Sequence, residues 1–145
     1  MNPVDVLLVE DCAGDALLAL QILAEFPMPL KVHIAIDGHQ ALQMLAGGTF
    51  SPRLVLLDLS IPEISGLQVL ERYSSPDIPV VVLSGSSRET DKRLAMALGA
   101  SEYIEKPTDL PAFQNALWGS VERWVFGTSR GATSRSGDTE GGILS

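Results

Sequence analysis

A chain of 145 residues with 46% hydrophobic residues, 19% charged residues and a mean hydropathy of +0.21 is predicted to form one domain with a single packed core. Its net charge of −8 makes direct binding to nucleic acid or to an anionic membrane unfavourable, because both partners would repel it. One cysteine, Cys12, excludes an internal disulfide, and the lack of a signal-peptide pattern or an apolar run of about 18 residues predicts a soluble cytoplasmic protein.

Five short apolar segments recur along the chain and predict five β-strands. They begin at residues 4, 31, 53, 79 and 101 and read VDVLLV, KVHIAI, RLVLLDL, PVVVLS and SEYIEK. The first, third and fourth are nearly continuous Val and Leu, which is typical of strands covered on both faces. The second alternates apolar and other residues, and the fifth is short and polar, so these two are predicted to be edge strands.

Helical patterns follow the first three predicted strands. The first, AGDALLALQILAEF, contains good helix formers and stops at Pro27. The second is predicted to begin at an N-cap, Asp37, and to stop at Gly47. The third, SGLQVLERY, is predicted to begin with Ser65 as its cap.

Two further helical patterns follow the fourth and fifth strands. In SSRETDKRLAMALGA, Ser86 and Glu89 have the spacing of a capping box, and the helix is predicted to end at Gly99. The last helix is predicted to have Pro111 in its first turn and to run to about Phe126.

The alternation of strands and helices predicts an α/β fold of the (βα)₅ type. Strand spacings of 22–27 residues fit right-handed crossovers and a parallel sheet. We expect this sheet to be doubly wound with the order 2-1-3-4-5. We expect the folded domain to span residues 1–126. Residues 127–145 are rich in Gly, Ser and Thr and have no periodicity, so they are predicted to form a disordered tail.

Polar and charged residues cluster where four of the five predicted strands end. Glu10 and Asp11 follow the first strand, Asp58 closes the third, Ser84 follows the fourth, and Lys106 follows the fifth. Doubly wound sheets bind ligands outside the strand carboxyl ends at the switch point, which here lies between the first and third strands. Lys106 is two strands from Asp58, roughly 10 Å away, a gap that its long side chain can largely bridge.

Three carboxylates in one pocket repel each other unless a hard cation holds them together. Mg²⁺ is the natural choice, because it prefers oxygen ligands and is commonly held by one or two carboxylates together with phosphate oxygens. A hydroxyl from Ser84 and an ammonium from Lys106 would complete an anion site around Asp58. This combination predicts phosphoryl transfer with Asp58 as the nucleophile.

The motifs VLLVED, LVLLDLSIPEISG, VVVLSG and YIEKP resemble those of response-regulator receiver domains of bacterial two-component signalling. The resemblance covers residues 4 to about 126 and implies a flavodoxin-like fold. It implies that Asp58 is the phosphoacceptor and that Asp11 binds Mg²⁺ directly, with Glu10 acting through water. The backbone carbonyl of Ser60 would complete the metal ligands from the protein.

The same resemblance implies roles for three residues on the later strands. Ser84 matches the hydroxyl that hydrogen-bonds the phosphoryl group, and Tyr103 matches an aromatic switch position that rotates inward. Lys106 matches the lysine of the family pattern, and the Lys106–Pro107 peptide bond would be cis, which proline permits.

Finer motifs resemble the small stand-alone regulators paired with bacterial phytochromes. These motifs are VEDCAGDALL, VVVLSGSSRETD and VERWVF. The resemblance implies a sensor histidine kinase of the bacteriophytochrome type as partner, and a homodimer through the face made by the fourth helix, fifth strand and fifth helix. Cys12 replaces the Asn common in that group. Ser60 is unusual two residues after the phosphoacceptor, a position that tunes the dephosphorylation rate in the family.

Taken singly, the acidic residues have ordinary structural explanations. Glu10 and Asp11 could complement the dipole of the first helix, and Asp58 could be a turn residue at a strand end. The conjunction with Ser84 and Lys106 at successive strand ends favours a functional site.

Several other residues are predicted to be structural. Cys12 is expected to be a small helix-start residue, because neighbouring carboxylates suppress its thiolate. Gly66 and Gly99 are expected to be ordinary helix-boundary glycines. Trp118 and Trp124 lie six residues apart, so one is expected to pack inside and the other to lie at the surface or an interface.

The sequence therefore favours a phosphoacceptor signalling protein that is not an enzyme on other substrates. Its output would be binding to a partner, a phosphorelay step, or a sink for phosphoryl groups from the kinase. A Mg²⁺-dependent aspartyl-phosphate hydrolase would need an acid where Ser60 stands. An FMN protein would need an uncharged phosphate loop in place of EDCAGD, and a receiver that signals without phosphorylation need not retain the whole set of site residues.

Overall fold

The computed structural model describes residues 2–59, 66–73 and 77–127. Ten elements alternate along the described chain: β1 Val4–Val9, α1 Ala13–Ala24, β2 Leu30–Ala35, α2 Gly38–Ala46, β3 Leu54–Asp58, α3 Gly66–Arg72, β4 Val80–Ser84, α4 Glu89–Ala97, β5 Glu102–Glu105 and α5 Leu110–Trp124. The predicted cap of α3, Ser65, and the predicted tail beyond Gly127 lie outside the described residues.

The five strands form one parallel sheet in the order β2-β1-β3-β4-β5. β1 pairs with β2 on one side and with β3 on the other, so the chain reverses its direction of travel across the sheet between these strands. This confirms the predicted doubly wound fold, with β2 and β5 as edge strands. It also places the switch point at the carboxyl ends of β1 and β3.

Alternate residues of the central strands face two separate halves of the core. One face packs against α1 and α5, and its strand residues are Val6, Leu8, Leu54, Leu56, Val81 and Leu83. The other face packs against α2, α3 and α4, and its strand residues are Leu7, Val9, Val55, Leu57, Val80 and Val82. Because both faces are covered, the central strands are apolar at nearly every position, as the sequence indicated.

Several predicted helix boundaries are confirmed. The Asp37 carboxylate accepts a hydrogen bond from the Gln40 amide at 2.8 Å, so Asp37 caps α2. Pro111 lies in the first turn of α5. Gly99 follows α4 with φ of +111°, a left-handed conformation that favours glycine.

The predicted capping box of α4 is wrong. The helix begins at Glu89 with Arg88 as its N-cap, and no side chain at that cap bonds the first turn. Ser86 lies two residues earlier, where its hydroxyl accepts from the Arg88 amide at 3.1 Å and donates to Asp91 at 2.6 Å. The chain leaves β4 through a loop two residues longer than a box starting at Ser86 allows.

The two tryptophans differ as expected. Trp118 packs edge-on against Phe26 and donates its indole N–H to the carbonyl of Ile22 at 2.9 Å. Trp124 is 37% exposed and donates to Glu102 at 2.8 Å.

In the described part of the chain, no helix has both the length and the apolar character needed to cross a membrane.

Candidate functional site

Three buried polar side chains meet at the carboxyl end of the sheet. Glu10, Asp58 and Ser84 are 4%, 3% and 5% exposed, and with Ser120 they are the buried polar residues of the described chain. Glu10 follows β1 and its amide donates to the carbonyl of Ala35 on β2. Asp58 and Ser84 are the last residues of the neighbouring strands β3 and β4.

The carboxylates of Glu10, Asp11 and Asp58 form one cluster. An oxygen atom from each lies within 4.8 Å of one from each of the other two, and Asp11 is the exposed member. The amide of Cys12, which is the N-cap residue of α1 as expected, donates to a Glu10 carboxylate oxygen at 3.3 Å. Three hard oxygen donors at this spacing fit a divalent-cation site.

Lys106 reaches into this cluster from the end of β5. Its Nζ lies 3.2 Å from Glu10 Oε1 and 3.4 Å from Asp58 Oδ2. The carboxylate of Asp15, on the first turn of α1, lies 3.7 Å from the same nitrogen. The main chain of Lys106 is held by an amide hydrogen bond to the carbonyl of Ser84 at 2.7 Å, so the ammonium is presented from a fixed position.

The electrostatics of the cluster reflect its crowding. Burial, followed by the hydrogen bond and negative charge of Asp58, raises the pKa of Glu10 to about 7, although Lys106 opposes this. Burial acts to lower the pKa of Lys106, but the attraction of Asp58, Glu10 and Asp15 outweighs it and the pKa is raised. One ammonium therefore offsets only part of the negative charge, and added positive charge is favoured here.

Ser84 and Tyr103 are linked through the loop after β4. The Ser84 hydroxyl oxygen accepts from the Ser86 amide at 3.0 Å, and the Tyr103 hydroxyl donates to the Ser86 carbonyl at 2.8 Å. Tyr103 is half-buried on β5 and packs against the core on the α4 side. Of the other predicted site residues, Ser60 lies outside the described residues.

Gly66 contributes to the site in a way that the sequence did not indicate. A Cβ atom at Gly66 would lie 2.6 Å from the Leu59 Cα and 2.7 Å from the Asp58 carbonyl oxygen. Gly66 is the first residue of α3, so its expected place at a helix boundary is confirmed, but it is not an ordinary boundary glycine, because α3 begins in direct contact with the main chain at Asp58. The position of this glycine, eight residues after Asp58, was the available signal.

The predicted cis bond before Pro107 is also wrong. The described residues contain no cis peptide bond, and the Lys106–Pro107 bond is trans. The trans form of a bond to proline is favoured by about 0.5–1 kcal/mol, and Lys106 reaches the carboxylates with the bond in this form.

The family model of the response regulator receiver domain matches residues 6–117. The chain belongs to this family. The matched segment runs from within β1 into α5, so the receiver domain comprises the whole sheet and the carboxylate cluster at its edge.

Solved structures of phytochrome response regulators are among the similar proteins. The phosphorylated cyanobacterial phytochrome response regulator RcpA is 32% identical, with a TM-score of 0.79 over 88% of this chain and 98% of its own. The Mn²⁺-bound form of the response regulator Rcp1 is 30% identical, with a TM-score of 0.77 over 90% of this chain and 100% of its own. These neighbours fit the predicted resemblance to stand-alone phytochrome-associated regulators.

Curated relatives include one protein of similar length and several that are longer than this chain. A probable methanogenesis regulatory protein, FilR2 of Methanothrix harundinacea, is 31% identical over 132 residues, which cover 86% of this chain and 85% of its own. For several other relatives the match spans only 25–52% of their length. The receiver domain is the part that these longer proteins share with this chain.

Proposed function

We propose that this protein is a response regulator whose receiver domain accepts a phosphoryl group on Asp58 from a sensor histidine kinase in a Mg²⁺-dependent reaction. One observation carries the proposal. The Asp58 carboxylate is buried, clustered with two further carboxylates and 3.4 Å from the Lys106 ammonium, at the switch point of a receiver fold.

The residues of the site suit the transfer of a phosphoryl group from a phosphohistidine. An Asp58 oxygen attacks phosphorus, a P–O bond forms, the P–N bond breaks, and the released imidazole nitrogen keeps its electron pair and takes up a proton. Lys106 supplies positive charge beside the transferred group. Ser84 is the last residue of the neighbouring strand, and its hydroxyl can donate a hydrogen bond to a phosphoryl oxygen.

The metal ligands from the protein are proposed to be Glu10 acting through water, Asp11, Asp58 and the backbone carbonyl of Ser60. The spacing of the three carboxylates supports this set. Bound Mg²⁺ would neutralise the crowded carboxylates and the incoming phosphoryl oxygens. On this proposal the protein catalyses only its own phosphorylation and dephosphorylation.

The output is proposed to be phosphorylation-dependent binding to another protein in a phytochrome pathway. Ser84 and Tyr103 meet at Ser86, and Tyr103 lies on the strand beside α4, so both connect the site to the face formed by α4, β5 and α5. That face is the proposed homodimer surface. The similarity to RcpA and Rcp1 supports a bacteriophytochrome kinase as the phosphoryl donor. Residues 1–126 are the proposed receiver domain, with 127–145 as a disordered tail.

An Asp58→Asn variant tests the assignment. We expect it to lose acid-labile, Mg²⁺-dependent phosphorylation by a small-molecule phosphodonor or a phytochrome kinase, because an amide is a poor nucleophile. Asp5→Asn is the matched control, since Asp5 lies at the opposite end of the sheet and bonds His33 at 2.9 Å. Full labelling of the Asp58→Asn protein would overturn the proposal, whereas labelling of the wild type and control alone supports it.

A further inference from the structure

Ser86, in the loop between β4 and α4, uses its backbone and its side chain to contact three separate parts of the proposed switch. Its amide donates to the Ser84 hydroxyl oxygen at 3.0 Å, and its carbonyl accepts from the Tyr103 hydroxyl at 2.8 Å. Its own hydroxyl donates to the Asp91 carboxylate at 2.6 Å and accepts from the Arg88 amide at 3.1 Å. A displacement of Ser86 therefore changes contacts to two strands and a helix together.

The bond to Asp91 is the strongest of these contacts by its chemistry. The acceptor is a carboxylate and the oxygen–oxygen distance is short, which are the marks of a charge-assisted hydrogen bond. The same bond is the main reason why the pKa of Asp91 is lowered. Arg88 also contacts Asp91, at 3.3 Å, but its side chain is 77% exposed and its charge is screened by water.

Asp91 connects Ser86 to the beginning of α4. It lies in the first turn of that helix, whose N-cap residue Arg88 provides no side-chain cap. The Ser86 hydroxyl instead holds the start of α4 from two residues further back, because it bonds both the Arg88 amide and the Asp91 side chain. The orientation of the first turn of α4 depends on where Ser86 lies.

We propose that Ser86 is a positioning residue that transmits the phosphorylation state of Asp58 from Ser84 to α4 through its hydrogen bond to Asp91. The inference rests on the proposed function, because it assumes that the Ser84 hydroxyl engages a phosphoryl group. A shift of Ser84 towards that group strains its bond to the Ser86 amide. Ser86 then moves with Ser84, and Asp91 and the first turn of α4 follow.

The test measures how α4 responds when the site is filled. The probe is beryllium fluoride with Mg²⁺, which mimics a phosphoryl group on a carboxylate, and the readout is the change in backbone amide NMR shifts at 83–86 and at 89–93. Wild type is compared with Ser86→Ala, Ser86→Thr and Asp91→Asn. Ser87→Ala is the matched control, because Ser87 is the exposed neighbour of Ser86.

We expect the wild type to respond in both segments. In Ser86→Ala, the response at 83–86 should persist while that at 89–93 falls roughly fivefold, which is what a hydrogen bond of ordinary strength contributes to an equilibrium constant. Ser86→Thr should restore the response because it keeps a hydroxyl, and Asp91→Asn should retain much of it because it keeps an acceptor oxygen. A merely structural role would change the α4 shifts of the free protein without reducing the response to the probe.

Two results would overturn the inference, and they are distinguishable. An α4 response of wild-type size in Ser86→Ala, or an equal loss in Ser87→Ala, would remove the role of the Ser86 hydroxyl and leave the proposed function intact. A wild-type protein with no response at 83–86 would overturn the proposed function, and this inference with it.

Discussion

At the scale of single residues, Gly66 matters to the site because it has no side chain to separate α3 from the main chain at Asp58. The main chain of α3 approaches the main chain of Asp58 and Leu59 so closely that a methyl group cannot be placed between them without movement. Because both contacting segments are backbone, neither can yield by rotating a side chain. The glycine therefore permits α3 to approach the proposed phosphoacceptor this closely.

We expect Gly66→Ala to destabilise the protein and to slow phosphorylation of Asp58. Overpacking of this kind costs about 1–3 kcal/mol of the free energy of unfolding, and relief of the clash would displace the Asp58 backbone. Denaturant unfolding gives the first quantity, and the rate of labelling by a small phosphodonor gives the second.

The matched control is Gly14→Ala in α1. A Cβ at Gly14 has nothing within 4 Å, and alanine favours helix by roughly 1 kcal/mol over glycine, so this variant should be neutral or more stable. A stable Gly66→Ala protein with wild-type labelling would show that the contact with Asp58 and Leu59 has no influence on the site.

At the scale of elements, a cluster at Glu102 ties β5 to the last turns of α5. The Glu102 carboxylate accepts hydrogen bonds from Trp124 at 2.8 Å and from Ser120 at 3.3 Å, and it forms an ion pair with Arg123. Glu102 directly precedes Tyr103, so the same strand end carries the proposed switch residue. The cluster holds α5 in place on one side of the proposed output face.

We expect Glu102→Ala to lower the free energy of unfolding by about 1–2 kcal/mol, because several donors lose a charged acceptor at a partly exposed position. The emission of Trp124 should also shift, since its indole N–H turns from a carboxylate to water. Glu105→Ala, at the exposed end of the same strand, is the control and should leave both quantities unchanged. Equal effects of the two substitutions would contradict a specific role for the cluster.

Elements that are determined by burial could be predicted from the sequence, whereas the start of a helix that depends on loop geometry could not. The central strands are apolar at nearly every position because both faces are buried, and the alternation of strands and helices along the chain predicts parallel strands joined by right-handed crossovers. The predicted start of α4 was wrong because the geometry of the loop after β4 places the Ser86 hydroxyl against Asp91 and not in a capping box with Glu89. The spacing of residues in the sequence indicates which residues can cap a helix, but it does not indicate how long the loop before the helix is.

At the scale of the whole molecule, the site was predictable to the extent that the sheet determines it. Parallel strands bring Glu10, Asp58 and Lys106 to one edge whatever the loops do, and the structure brings these three together. The contact of Asp15 with Lys106 at 3.7 Å depends instead on how α1 leaves β1. Ser60 and the tail beyond Gly127 remain predictions, because they lie outside the described residues.

The acidic cluster also predicts how the whole domain responds to metal. Three neighbouring carboxylates in the folded state repel each other, and the unfolded chain disperses them, so a divalent cation binds the folded state selectively. At a concentration 100 times its dissociation constant, such a cation adds about 2.7 kcal/mol to the free energy of unfolding. Addition of Mg²⁺ should therefore raise the melting temperature by roughly 5–10 °C, and chelation should reverse the shift.

Asp11→Asn removes one exposed ligand and should reduce the shift strongly, whereas NaCl of equal ionic strength should not reproduce it. A Mg²⁺ effect that is matched by NaCl, or that is undiminished in Asp11→Asn, would mean that general screening of the −8 charge stabilises the protein and that the carboxylates hold no metal.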